Sequence, residues 1–61
     1  MIDCIDAMEA AAAGLPAVER LFTANAVGKL WHWKENNGVE DLITAVKYIE
    51  YMIDREERMH G

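Results

Sequence analysis

A chain of 61 residues can enclose only a small hydrophobic core, and this limit constrains the fold more than any single motif in the sequence. A domain of this size buries only about 60% of the surface that its unfolded chain exposes. Natural domains of similar length usually gain stability from disulfides, a structural metal or self-association. The residues present therefore decide which of these applies to the single domain that we expect over residues 1–61.

The sequence contains too few cysteine and histidine residues for disulfides or a structural metal site. Cys4 is the single cysteine, so no intramolecular disulfide can form, and a reducing compartment is expected. His32 and His60 lie far from Cys4 in sequence, so we expect neither a metal site nor a cofactor. Because 52% of the residues are hydrophobic, self-association remains, and the sequence predicts a homo-oligomer.

The charge balance argues against two classes of partner. Eleven acidic and six basic residues give a net charge of −5, whereas nucleic-acid binding needs clustered Lys and Arg. No apolar run approaches the roughly 18 residues of a membrane span, and residues 1–14 lack the basic start of a signal peptide. We therefore expect a cytoplasmic protein that binds neither nucleic acid nor membranes.

Two breaks divide the chain into three predicted helices. Gly14 and Pro16 form the first break, with Gly14 as a left-handed helix stop, and residues 36–38 form the second. Between the breaks, apolar residues recur at three- and four-residue spacing, without the alternation of a strand. The sequence thus predicts an all-α fold with three short helices at about 2–13, 16–35 and 39–57.

The third helix carries the clearest apolar pattern. Its three- and four-residue steps resemble a coiled-coil seam and run through Val39, Leu42, Val46, Ile49 and Ile53. A second set lies opposite this seam: Thr44, Lys47, Tyr48, Tyr51 and Arg55. The two tyrosines either contact another subunit, which is favoured, or line a ligand groove. We expect an oligomer interface that includes Leu42, Val46, Tyr48, Ile49 and Ile53.

The ends of the third helix also carry local signals. Asn37 and Glu40 have the spacing of a capping box, which would cap the N-terminus of the helix. Asp54 and Arg58 are four residues apart and predict an exposed ion pair. The charged tail, residues 54–61, is expected to fray.

The second helix supplies the candidate ligand site. Asn25, Lys29, His32 and Trp33 fall at i, i+4, i+7 and i+8, so they share a broad face. An amide, an ammonium and an imidazole on that face could contact a phosphate or a base. In the alternative interpretation, a buried Asn25 sets helix pairing and Lys29 is merely solvated. These residues alone favour that structural alternative.

The common enzyme signatures are absent from the sequence. It contains no glycine-rich phosphate loop, no HExxH metal motif and no GxSxG elbow. His32 has no partner at helical spacing that would make it a general base. We therefore expect no catalytic residues, and a phosphotransfer site would have to be assembled between subunits.

Two segments resemble a known family. They are residues 25–34, NAVGKLWHWK, and residues 37–42, NGVEDL, and the opening IDCIDAM at 2–8 is also similar. The family is a group of small phage-encoded proteins, often labelled nucleotide kinase-like, related to the lactococcal-phage protein that confers sensitivity to abortive infection. The resemblance extends to about Ile53. Gly28, His32, Ile43 and Thr44 stand where the family tends to have basic residues, so the resemblance implies binding rather than kinase activity.

Together these observations predict a phage or prophage accessory protein that acts during host takeover or counter-defence. It would bind a nucleotide-like phosphorylated ligand or a host protein. The expected ligand-binding residues are Asn25, Lys29, His32 and Lys34, with Trp33 or Tyr51 stacking on the ligand. Two alternatives remain open. One is a nucleoside monophosphate kinase-like enzyme with an intersubunit active site, and the other is a pure protein–protein interaction inhibitor whose acidic surface docks onto a basic host factor.

Overall fold

The computed structural model describes residues 3–60, except for the side chain of His60, and folds them into three helices. The helices are α1 (Cys4–Ala12), α2 (Ala17–His32) and α3 (Val39–His60). The all-α prediction is confirmed, and residues 3–60 contain no strand. The first two helices are shorter than predicted at both ends, and the predicted start at Ile2 lies outside the described residues. The third continues beyond 57, so the charged tail is helical as far as His60.

The turns form where the sequence supplies glycine. Gly14 has φ 80° and Gly38 has φ 59°, in the left-handed region that other residues rarely adopt, so the predicted stop at Gly14 is confirmed. Asp3 caps α1, because its carboxylate accepts a hydrogen bond from the Asp6 N–H at 2.9 Å. The Arg20 guanidinium donates to the Leu15 carbonyl oxygen at 3.2 and 3.3 Å, which ties the first turn to the start of α2.

The three helices form a single layer with α2 in the middle. α2 packs against both neighbours, whereas α1 and α3 make no contact with each other within residues 3–60. The principal extents of the molecule are 38 × 25 × 13 Å. The shortest of these is close to the diameter of one helix with its side chains, about 10–12 Å. Nothing in the described chain therefore covers either face of the layer.

Small side chains make up the interior of this layer. Among the described residues, those that are buried are Ala12, Ala26, Ala45 and Asp41. Between α1 and α2, Met8 lies over Gly28, where an added Cβ would stand 3.5 Å from the Met8 Sδ. Small residues allow helices to approach closely but remove little apolar area from water, so this interior contributes little hydrophobic stabilisation.

α3 carries two repeats, and the less apolar one packs against α2. This repeat consists of Asp41, Ala45, Tyr48, Met52 and Arg55, which again follow one another in four- and three-residue steps. Four of them contact α2 side chains, and Ala45 is buried. The apolar seam predicted from the sequence lies beside this repeat and stays largely exposed, as at Ile53, which is 51% exposed.

The two repeats give the α2–α3 pair two different faces. On one side, the Phe22 ring contacts the rings of Tyr48 and Tyr51. We call this side the tyrosine face; its residues are Val18, Leu21, Phe22, Asn25, Lys29, Thr44, Lys47, Tyr48 and Tyr51. On the other side, Thr23 and Met52 line a groove with Ile49 and Ile53. We call this side the isoleucine face; its residues are Leu15, Thr23, Leu42, Val46, Ile49 and Ile53.

The α1–α2 contact generates a stability prediction at Gly28. We expect Gly28→Ala to raise the free energy of unfolding by about 0.5–1 kcal/mol, because alanine favours the helix and its Cβ would make only an ordinary contact with Met8. Gly28→Leu should lower it, since the larger side chain displaces Met8. Urea unfolding at one fixed protein concentration, followed by circular dichroism, measures both. Equal destabilisation by the two variants would contradict the packing described.

Candidate functional site

Three aromatic rings form the centre of the tyrosine face. The Phe22 ring lies 4.8 Å from the Tyr51 ring in edge-to-face geometry and 5.7 Å from the Tyr48 ring. Both separations fall in the range of about 4.5–7 Å that favours aromatic pairs. Tyr51 is nevertheless 53% exposed. The cluster therefore fixes the position of a large ring while leaving much of it available for contact.

A cleft opens beside these rings. It has a volume of about 370 Å³ and is lined by Phe22, Thr44, Lys47, Tyr48 and Tyr51. Lys47 is exposed and forms no ion pair with any residue in the range 3–60. The Thr44 hydroxyl donates to the Glu40 carbonyl oxygen at 2.9 Å, so it is already used within the helix. The cleft thus combines aromatic surface with one uncommitted ammonium group.

Lys29 is committed to a contact inside the protein. Its Nζ lies 3.6 Å from Oδ1 of Asp41, whose side chain is only 4% exposed, while the Lys29 side chain is 41% exposed. Asn37 completes the network: its side-chain amide donates to Oδ1 at 3.2 Å, and its backbone N–H donates to Oδ2 at 3.3 Å. The buried carboxylate is therefore compensated by one cation and two hydrogen bonds, as a buried charge requires.

The surroundings of Asp41 lower its pKa. Burial alone would raise the pKa, because removal from water disfavours the charged carboxylate. The hydrogen bonds from the side chain and backbone of Asn37, together with the positive charge of Lys29, outweigh that effect. The pKa of Asp41 consequently lies below its ordinary value, and the carboxylate is ionised at neutral pH.

This network corrects one sequence prediction and adds a residue that the sequence did not single out. The predicted capping box paired Asn37 with Glu40, but Asn37 is bonded through its side chain to Asp41, one position later. Asp41 precedes the buried Ala45 by one helical turn and so points towards α2. The sequence signal that could have identified Asp41 was the second repeat on α3, because Asp41 is its first member.

The other predicted ligand-binding residues divide into two groups. Asn25 is half-buried on the same side of α2 as Phe22 and Lys29, which are three positions before and four after it. The remaining residues lie at the end of α2: the His32 Nδ1 lies 3.6 Å from the Glu35 Oε2, and the Lys34 Nζ lies 5.8 Å from the centre of the Trp33 ring. The structure thus gathers Asn25, Lys29 and Tyr51 on one face, while Trp33 and Lys34 contact each other.

The predicted interface residues also separate. Tyr48 packs within the chain against Phe22. Val46, Ile49 and Ile53 are exposed on the isoleucine face, and Leu42 is half-buried there. The predicted pair of Asp54 and Arg58 is confirmed at 2.9 Å.

Comparisons with known proteins give no relative for this chain. No protein-family model matches it, and neither a curated protein nor a solved structure matches it significantly. The described part of the chain holds no group of three His, Cys, Asp or Glu residues that could bind a metal. None of its helices combines the length and the apolar content that crossing a membrane requires. The resemblance to the phage family stays a prediction.

Because the pKa of Asp41 is lowered in the folded protein, part of the free energy of unfolding depends on pH in the acid range. Because the ionised form is favoured in the folded state, this contribution is complete above the unfolded pKa of about 3.9 and is lost as pH falls through the lower folded pKa. We expect Asp41→Asn to be less stable than the wild type at pH 7, and the difference to shrink below about pH 4. Urea midpoints across this range measure it. Glu40→Gln is the control, and a pH-independent difference for Asp41→Asn would contradict the assignment.

The contact of Lys29 generates a separate prediction. Lys29→Met should lower the melting temperature, since it leaves a buried carboxylate without its cation. Lys34→Met, which removes an exposed lysine lying over Trp33, should change the melting temperature much less. Thermal unfolding of the two variants at the same protein concentration makes the comparison. Equal melting temperatures would show that Lys29 is merely solvated.

Proposed function

We propose that this protein is a non-catalytic interaction module that binds a partner protein through the tyrosine face. The observation that carries the proposal is the exposed Tyr51 ring, held in place by Phe22, which also contacts the Tyr48 ring. A ring ordered before binding loses little conformational freedom when it is buried, and this is why tyrosines are frequent among residues that dominate interface affinity.

The surroundings of the cluster suit a surface larger than a small molecule. Val18 and Leu21 are exposed on α2, one turn before Phe22 and Asn25 respectively, so apolar surface continues along the tyrosine face. The cleft is shallow and open, whereas small-molecule sites usually enclose most of their ligand. An extended apolar patch of this kind with an ordered aromatic centre fits a protein partner.

Charge defines the chemistry of that partner. The chain as a whole carries a net charge of −5, which favours encounter with a basic partner, while the tyrosine face itself presents Lys47, unpaired within residues 3–60, which suits an acidic group at the contact. The resemblance to the small phage-encoded family would make the partner a host protein and the setting the cytoplasm of an infected cell. In that setting, binding would serve host takeover or counter-defence.

A nucleotide-like phosphorylated ligand is the second candidate, and one observation favours it. Lys47 is an uncommitted cation in the same cleft as three aromatic rings. Its ammonium could attract a phosphate while Tyr51 stacks on a base. Lys29, by contrast, is neutralised by Asp41, so the phosphate contact is assigned to Lys47.

A crosslinking experiment tests the protein-binding proposal. A photoreactive phenylalanine analogue replaces Leu21 in cells that express the protein, and the crosslinked partner is identified, purified and titrated against the wild type. We expect Tyr51→Ala to weaken this binding by tenfold or more, because truncated hot-spot residues cost at least about 2 kcal/mol. Met59→Ala, which removes an exposed apolar side chain near the end of α3, should change the affinity less than twofold.

Two readouts decide against the proposal. One is unchanged affinity of Tyr51→Ala for the purified partner, with circular dichroism showing an intact fold. The other is saturable binding of ATP or a nucleoside monophosphate that is lost in Lys47→Ala and retained in Lys34→Ala. The second result would establish the ligand-binding candidate instead.

A further inference from the structure

We propose that the isoleucine face binds a second copy of this chain, with the two α3 helices packed antiparallel to each other. The face presents a groove of about 470 Å³ whose apolar lining includes Leu15, Ile49, Met52 and Ile53, with Glu19, Glu56 and Glu57 lining the rest. Leu42 and Val46 extend this lining towards the start of α3, at the spacing of a coiled-coil seam. The inference is independent of the partner proposed for the tyrosine face.

The exposed area matches what one such contact removes. The chain exposes 4665 Å². A compact monomer of 6.9 kDa exposes about 4000 Å² by the general relation between surface and mass. The excess of roughly 670 Å² is close to the share of one partner in a standard interface, about 800 Å². Covering one face of the layer would therefore bring the exposed area to the level of an ordinary folded protein.

A second copy fits because the seam is complementary to itself. In a twofold dimer both chains use the same patch. When the two α3 helices run in opposite directions, the apolar residues of one seam must therefore lie beside apolar residues of the other. With the axis passing between residues 47 and 48, Val46 of one copy lies beside Ile49 of the other. Leu42 then lies beside Ile53 of the other copy. Every apolar residue of the seam except Val39 gains an apolar neighbour in this register.

Charge selects the antiparallel orientation. The seam continues past Ile53 to Glu56, while the neighbouring Asp54 is paired with Arg58. A parallel dimer would place Glu56 beside its own copy, and like charges in direct opposition are destabilising. In the antiparallel register, Glu56 instead lies beside Val39 of the other copy.

Single cysteines in a Cys4→Ser background test both the occupant and the orientation. At a rise of 1.5 Å per residue, two copies of residue 46 are about 4–5 Å apart along the antiparallel axis, and two copies of residue 53 are about 16 Å apart. A disulfide spans at most about 7 Å between Cα atoms. We therefore expect Val46→Cys to form covalent dimers on mild oxidation and Ile53→Cys alone to form none. A mixture of Leu42→Cys and Ile53→Cys should give a linked heterodimer.

Tyr51→Cys is the matched control for Val46→Cys, since Tyr51 and Val46 are almost equally exposed but lie on opposite faces. It should form no covalent dimer, and light scattering of the wild type should give twice the mass of one 6.9 kDa chain. Efficient linkage of Ile53→Cys alone would overturn the antiparallel orientation. Linkage of Tyr51→Cys in place of Val46→Cys, or a monomeric mass at micromolar concentration, would overturn the assignment of this face to a second copy. Either result would leave the partner proposed for the tyrosine face to be tested separately.

Discussion

Two ion pairs of opposite polarity hold the contact between α2 and α3. Near one end, Lys29 of α2 meets Asp41 of α3, and near the other, Glu19 of α2 meets Arg55 of α3 at 4.0 Å. A shift of α3 by one turn would separate both pairs and leave the Asp41 carboxylate without its cation, which is unfavourable for a carboxylate held away from water. Because only small apolar side chains are buried between the helices, the closer and hydrogen-bonded network of Lys29, Asp41 and Asn37 defines the register more sharply than hydrophobic packing does.

The register fixed by these pairs decides which residues meet across the layer. With Lys29 opposite Asp41, the Phe22 ring contacts the rings of both Tyr48 and Tyr51. In the same register, the Thr23 hydroxyl lies 3.3 Å from the Met52 Sδ. The aromatic cluster therefore depends on an electrostatic contact located two turns away from it. The same register leaves the most apolar residues of α3 outside the helix pair, where they remain in contact with water.

The sequence contained enough information for the helices but not for their arrangement. Gly14 and Gly38 marked both breaks, because few other residues adopt their backbone angles. The apolar seam on α3 was evident, yet α2 packs against the second repeat, whose members include Asp41 and Arg55. A carboxylate is usually exposed, and its burial is made favourable by Lys29 across the helix pair together with Asn37 four residues earlier in the chain. Asn25 and Lys29 lie on one side of α2, whereas His32, Trp33 and Lys34 lie at its end, and the pairing of Lys29 could not be inferred from one helix alone.

The single-layer architecture has a consequence for valency. The tyrosine and isoleucine faces lie on opposite sides of the same two helices, so occupation of one does not obstruct the other. A dimer formed through the isoleucine faces would carry two identical tyrosine faces that point in opposite directions. Such a particle could bridge two copies of a partner, and a partner that is itself oligomeric would be held with an avidity exceeding the affinity of either face. A chain of this length would then act as a crosslinker, with a reach set by the thickness of two helical layers.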